Sequence, residues 1–190
     1  MAVVALQEAP VHEEARRPAL NQLGLWLFFA SESFLFAALA TARFVLTGTG
    51  RPEELSQPLG VAITSVLLLS SLTAYLAESS MAHGDRANFL RFLLATIALG
   101  LVFVAGVGVE WTTAEFGPSD PFGTAFFSMT GMHALHVISG IVMLALVYSL
   151  ARRGRFSAEH HWGVEATIKY WHFVDVVWVF FYPTLYLVSW

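Results

Sequence analysis

Several ionisable side chains stand inside long apolar runs, among them Glu32, Glu110, His133, His136, His172 and Asp175. An ionisable group within a membrane-crossing segment is costly to hold there and marks a functional candidate. It can ligate a metal or cofactor, carry a proton, or fix helix packing through a hydrogen bond to a neighbouring helix. His133 and His136 lie three apart on one helix face, so both imidazoles point the same way. With a carboxylate they could make a small metal site, though the longer ligand sets of catalytic metals are missing. A second set sits between the apolar runs: His83, Asp85, His160 and His161. Histidine changes charge near neutral pH, so these residues could collect protons at a membrane surface. They could equally be solvated loop residues.

The elements that must position these groups are apolar. Hydrophobic residues make up 56% of the 190 residues and charged residues 13%, with a net charge of −4. A single water-soluble core could not absorb so much apolar surface, which points to an integral membrane protein. With no cysteine, the chain has no disulfide, thiolate-zinc site, iron–sulfur cluster or cysteine nucleophile. No basic patch suggests nucleic acid.

Five apolar runs, about 23–47, 59–80, 89–111, 124–150 and 169–189, each reach the ~20 residues needed to cross the hydrocarbon as a helix. The expected fold is therefore an all-α bundle of five transmembrane helices over 22–190, behind a polar tail over 1–21 that is disordered or lies on the surface. That tail lacks the basic start of a signal peptide. The connecting segments hold the breakers, among them Gly48, Gly50, Pro52, Pro58, Gly117, Pro118 and Pro121. With the N-terminus inside, the inner segments carry eight basic residues (Arg16, Arg17, Arg86, Arg91, Arg152, Arg153, Arg155, Lys169) and the outer loops only Arg51. The positive-inside rule then places the N-terminus in the cytoplasm and Trp190 outside.

Helical rise gives the depth of each buried group. Glu32 lies about 14 Å from the inner end of its helix, His136 about 21 Å and His133 about 25 Å. Glu110 lies about 30 Å up the third helix, Asp175 about 8 Å and His172 about 3 Å up the fifth. Two pairs match in depth, Glu32 with His136 and Glu110 with His133, so each histidine is expected to meet its carboxylate across a helix contact. The same figures separate His172 from the helix 4 histidines and argue against a bis-histidine haem. On the fifth helix, His172, Asp175, Val179, Tyr182 and Tyr186 follow a 3–4 spacing and should line a protein-facing stripe. Pro183 should kink the helix, and Tyr170, Trp171 and Trp190 read as an interfacial aromatic belt. Ala30, Gly100, Gly106 and Gly108 should let helices approach closely.

The run HHWGVEATIKYWHFVDVVWVFFY, from His160 to Tyr182, closely resembles the last-helix signature of subunit III of the haem–copper respiratory oxidases. TGMHALHVISG, Thr130 to Gly140, is similar to that family's Thr-Gly-x-His-x-x-His-Val segment. GLWLFFASESFLF places Glu32 at the family's membrane-buried carboxylate. GDRANFLRFLLATIALGLVFVAGVGVEW resembles its Gly-x-Arg to Glu-aromatic stretch. The likeness covers roughly 22–188 and looks like the five-helix form, without the two extra N-terminal helices of seven-helix members. Val107 stands where the family often has Gln.

That resemblance implies an accessory subunit of a proton-pumping oxidase that reduces oxygen to water, in a bacterial cytoplasmic membrane. It implies no catalytic residue, no metal and no cofactor on this chain. Haems and copper would sit in partner subunits I and II, and cytochrome c or quinol would engage only through the complex. Direct contact with subunit I, contact with subunit II and further small subunits, and bound structural phospholipid follow from the same likeness. Glu32, Glu110, His133, His136, His172 and Asp175 would then hold structure and position lipid. His83, Asp85, His160 and His161 would gather protons near the uptake entrance of subunit I. The alternatives are a purely structural assembly subunit and a subunit III of a quinol oxidase. A transporter, expected to carry repeats and broken helices, fits less well.

Overall fold

The computed structural model describes residues 9–52 and 55–188, without the side chains of 9–18. Among these residues there are five α-helices and no strand: α1 Ala9–Thr47, α2 Gln57–Ala82, α3 Arg86–Thr113, α4 Pro121–Arg152 and α5 Trp162–Tyr182. A π turn, Pro183–Leu187, follows α5. Four helices are long and apolar enough to cross a membrane: α1 from Ala19, α2, α3 and α4. α5 is apolar over most of its length but carries the charged residues Glu165, Lys169 and Asp175.

The expected polar tail is helical from Ala9 on. Its Ala, Glu and Arg residues favour helix, and Pro10 sits in the first turn, where no amide donor is needed. The segment 1–8 and Trp190 lie outside the described residues. The fifth helix begins seven residues earlier than its apolar run: Trp162–Ile168 carries Glu165 yet continues the helix, with Val164 and Ile168 buried.

The chain divides into two units, Met1–Leu35 and Phe36–Trp190. The first holds the N-terminal part of α1, with Trp26 edge-on to Phe29 at 5.7 Å. In the second, α2 packs on α3, α3 on α4, α4 on α5 and α5 back on α2, which closes a four-helix ring. The last three turns of α1 bring Phe36 against Phe181 and Phe173 of α5.

Two loops at one end of the ring repeat a single device. Gly84 and Gly154 take positive φ (73° each), a conformation that side-chain-bearing residues rarely adopt. Asp85 N donates to Ser80 O and Gly84 N to Met81 O; Arg155 N donates to Leu150 O and Gly154 N to Ala151 O. Both are Schellman caps that satisfy the last carbonyls of α2 and α4. Arg86 ties the two loops together, since its Nη2 donates to Ala151 O and Arg152 O, both at 2.8 Å.

The ring is pinned through α5. Trp171 is 1% exposed and seats against Gly100 of α3 and Gly140 of α4. A Cβ at Gly100 would lie 2.6 Å from the indole, and one at Gly140 would lie 2.8 Å from it. Trp171 and Tyr170 are thus core residues, not the interfacial belt that their position near a helix end suggested. The small residue at 100 works as expected, whereas a Cβ at Gly108 would meet open space. The protein-facing stripe is also rotated from the expected one: it runs through Val164, Ile168, Trp171, Val174, Asp175, Trp178 and Phe181, while Val179 is exposed.

Candidate functional site

The buried polar groups of the second unit are spread over both ends of the ring. His133 is fully buried between Trp178 and Phe103, with ring centroids at 4.7 and 5.5 Å. Its Nε2 lies 3.1 Å from Val174 O. A carbonyl only accepts, so Nε2 carries the hydrogen and donates, and Nδ1 is the bare acceptor. Val174 O lies inside α5, and its second lone pair takes the imidazole hydrogen beside the helix bond; the Trp178 indole next to it donates to Thr64 Oγ1 at 2.9 Å.

Glu110 is 3% exposed on the last turn of α3. Its Oε2 accepts from Tyr186 Oη at 2.6 Å. The expected bond between Glu110 and His133 is therefore not made: the glutamate takes its donor from the π turn, and the histidine gives its hydrogen to α5. The turn is the reason. Pro183 ends α5, Val188 N donates back to Pro183 O at 3.0 Å, and the ring of Tyr186 is carried into the core. The carbonyl of Tyr186 then accepts from Arg51 Nη1 at 2.7 Å and from Gln57.

At mid-ring, α2 supplies two adjacent serines to α5. Trp171 Nε1 donates to Ser70 Oγ at 3.0 Å, and Ser71 Oγ lies 2.7 Å from His172 Nδ1. Asp175 is 3% exposed, one turn beyond His172. Because α5 starts at Trp162, Asp175 lies about 20 Å along it, well above the expected 8 Å. This overturns the depth argument. His133 bonds to Val174, two residues from His172, so depth does not separate the two imidazoles; direction does, one facing the Trp178 core and the other Ser71.

His136 is half-buried, with Nδ1 2.8 Å from Met132 O and its ring 4.8 Å from that of Phe36. Tyr170 Oη donates to His136 O at 3.2 Å. Glu32 lies on α1 in the first unit, where Ser33 Oγ donates to Phe29 O at 2.7 Å beside it. Among the described residues, no group of three or more His, Cys, Asp or Glu comes together in metal-binding reach.

The loop candidates share the end that carries Gly84 and Gly154, but they do different work. Asp85 caps α3: its carboxylate accepts from Asn88 N at 3.1 Å and from the Asn88 side chain at 2.7 Å. These bonds hold its carboxyl below the usual carboxylate range. His83 is exposed and lies against Ser79 O at 2.7 Å. His160 is exposed, and His161 precedes α5 with Nε2 3.5 Å from Glu165. Glu165 also accepts from Lys169 Nζ at 3.0 Å.

Sequence reasoning missed Arg43. It is fully buried, donates to Gly48 O at 2.7 Å, Gly50 O at 2.8 Å and Thr47 Oγ1, and lies 5.0 Å from the centroid of Phe122. The arginine thus fixes the glycine turn that follows α1, donating to the Gly48 and Gly50 carbonyls just beyond the helix end. Its signal was available, since Arg43 falls four residues before the Thr47–Gly48 break. Ser70 and Ser71 were also legible as a polar pair in an apolar run, though not their partners.

The sequence was then compared with known proteins. The family described as cytochrome c oxidase subunit III matches residues 7–190. The cytochrome c oxidase subunit 3 of Dugong dugon is 38% identical across 86% of this chain and 67% of its own length. Those of Podospora anserina (38% identical, 92% and 70%) and Ornithorhynchus anatinus (39% identical, 86% and 67%) are similar to the same extent. The chain spans about two thirds of the length of these relatives. They come from mammals and a fungus, so they lend no support to the expected bacterial cytoplasmic membrane; location in a membrane stands on the four apolar helices. The match runs through every described residue of the ring, and the chain belongs to the cytochrome c oxidase subunit III family.

Proposed function

We propose that this chain is an accessory subunit of a proton-pumping terminal oxidase and carries no redox centre of its own. It docks on subunit I, which with subunit II holds the haems and copper, and electrons from cytochrome c reach the complex through those partners. The N-terminus and the Gly84–Gly154 end face the side from which protons are taken up. The strong bias of basic residues toward that end supports this orientation. α5 crosses the membrane as the fifth span, shielded by the ring that its polar residues hold together.

The observation that carries this reading is how the buried polar groups are used. Tyr186 with Glu110, His133 with Val174, Trp171 with Ser70, Trp178 with Thr64 and His172 with Ser71 all join one helix to another. Such bonds specify helix packing and suit a subunit that supports a catalytic neighbour. Large apolar side chains on every helix, among them Phe34, Leu69, Leu101, Leu146 and Phe180, remain exposed for lipid and partner subunits. His83 and His160 are exposed at the loop end and suit proton collection there, His161 lies partly buried against Glu165, and Asp85 is engaged as a helix cap.

The test is to tag the chain, extract it in mild detergent, and record the reduced-minus-oxidised spectrum and subunit composition of what is recovered. Oxidase haem bands with two larger membrane subunits support the proposal, and bound cytochrome c identifies the donor. A colourless chain recovered alone refutes it. A coloured chain recovered alone means that this subunit binds haem itself.

A further inference from the structure

Asp175 is the buried acid whose surroundings the packing account leaves unexplained. It is 3% exposed, and neither carboxyl oxygen has a hydrogen-bond partner among the described residues. An ionised carboxylate in such a place has lost its water and gained nothing for it, so the group is at ease only while it carries a proton. On α2, Ser71 is close enough to interact with this carboxyl, and the same hydroxyl meets the imidazole of His172. Ser71 Oγ is 2.7 Å from His172 Nδ1. A hydroxyl both donates and accepts, so it can pass a proton between the two.

Below His172, the same face of α5 carries Lys169, Glu165 and, at the start of the helix, His161. Lys169 Nζ is 3.0 Å and His161 Nε2 is 3.5 Å from the Glu165 carboxylate. From α2, Glu78 lies within electrostatic reach of all three. From α4, His133 meets α5 at Val174 O and turns into the Trp178 core. Polar groups therefore flank the buried apolar stripe of α5 from the loop end up to Asp175, and beyond Asp175 this face packs Trp178 and Phe181.

We propose that Asp175 is a proton-binding site filled and emptied from the loop end of the ring through His172 and Ser71. A proton binds His172 at Nε2. The hydrogen on Nδ1 then passes to Ser71 Oγ as the serine's own hydrogen passes to an Asp175 carboxylate oxygen. One O–H bond forms on Asp175, the serine hydroxyl is remade, and the imidazole returns to neutral with its hydrogen on Nε2. Release runs the steps in reverse. Water at the loop end is the source, handed on by the Glu78, Glu165, Lys169 and His161 cluster. The site belongs to this chain alone and does not depend on the oxidase reading, which co-purification tests separately.

Infrared difference spectroscopy tests it on the full chain, with whatever subunits accompany it, in phosphatidylcholine nanodiscs. The aspartate carboxyls are labelled with carbon-13; Asp85 and Asp120, the other aspartates, are exposed. The expected result is a labelled carboxylic-acid band that is absent in Asp175→Asn and shifts after transfer to heavy water. In Ser71→Ala, where Asp175 itself remains as the reporter, the band persists and its exchange slows by about an order of magnitude. Absence of the protonated band from the unsubstituted chain overturns the proposal, as does exchange at an unchanged rate in Ser71→Ala. If Asp175→Asn does not assemble, Asp175→Glu supplies the assignment by moving the band out of the labelled set.

Discussion

Glu110 and Asp175 are equally buried, each 3% exposed, yet one has a donor and the other has none. Glu110 stands one turn from the end of α3, where the chain after α5 is free to bend. Pro183 ends the helix, and the π turn delivers the Tyr186 hydroxyl to the carboxylate. Asp175 stands in mid-helix, where donors can come only from neighbouring helices. Of the two hydroxyls that α2 offers, Ser70 gives its hydrogen to Leu67 O while accepting from Trp171, and Ser71 is engaged with His172. The same residue class at the same burial is therefore a packing post at one end and a proton-carrying group at the other. What differs is whether a turn or a regular helix faces it.

The largest expected effect tests the regular-helix side. Trp171→Ala empties the notch at Gly100 and Gly140 and leaves Ser70 without its partner; it should lower stability by about 3–5 kcal/mol in a thermal or denaturant melt. A loss below that of Tyr186→Phe would show that the ring is not pinned through α5. Tyr186→Phe itself removes the donor to Glu110 while leaving the ring shape intact, and should cost about 1–3 kcal/mol. Adding Glu110→Met should restore most of that loss, because a pair of apolar groups leaves no polar atom stranded. Asp175→Asn, by contrast, removes no formed hydrogen bond and resembles the protonated acid in shape. It should change stability by less than about 1 kcal/mol, and a cost equal to that of Tyr186→Phe would erase the distinction between the two acids.

The smallest effect is expected outside the membrane. Asp85 caps α3, and its carboxyl is held below the usual range by the Asn88 amide and side chain. A depressed carboxyl stabilises the fold above the ordinary aspartate range, and that contribution is lost as pH falls through the lowered value. The melting temperatures of the native chain and Asp85→Ala should therefore differ at neutral pH and converge in acid. A difference that stays constant with pH would remove Asp85 from the cap.

Particular residues show how far the sequence could be read. The apolar runs announced their helices to within a few residues for α2, α3 and α4, because hydropathy and the Gly and Pro breaks act locally. α5 was placed too late, since Trp162, Glu165 and Lys169 look like loop chemistry until their spacing along a helix is seen. That error carried into every depth on α5, whereas the wrong partner for His133 came from matching depths on α3 and α4 without the turn that brings Tyr186 to Glu110. Trp171 looked interfacial for the same reason, and only its seat against Gly100 and Gly140 shows otherwise.

By itself, the sequence determined that the chain is a set of apolar helices, where most of them break, and which ionisable residues they carry inward. Those are properties of composition and short-range spacing. Only the tertiary structure decided which group each buried residue meets. A helix can rotate by one residue's angle without changing its hydropathy, and that rotation chose Trp171 over Val179 as a core contact. The choice of Tyr186 over His133 for Glu110 depended on a turn whose path no local pattern specifies.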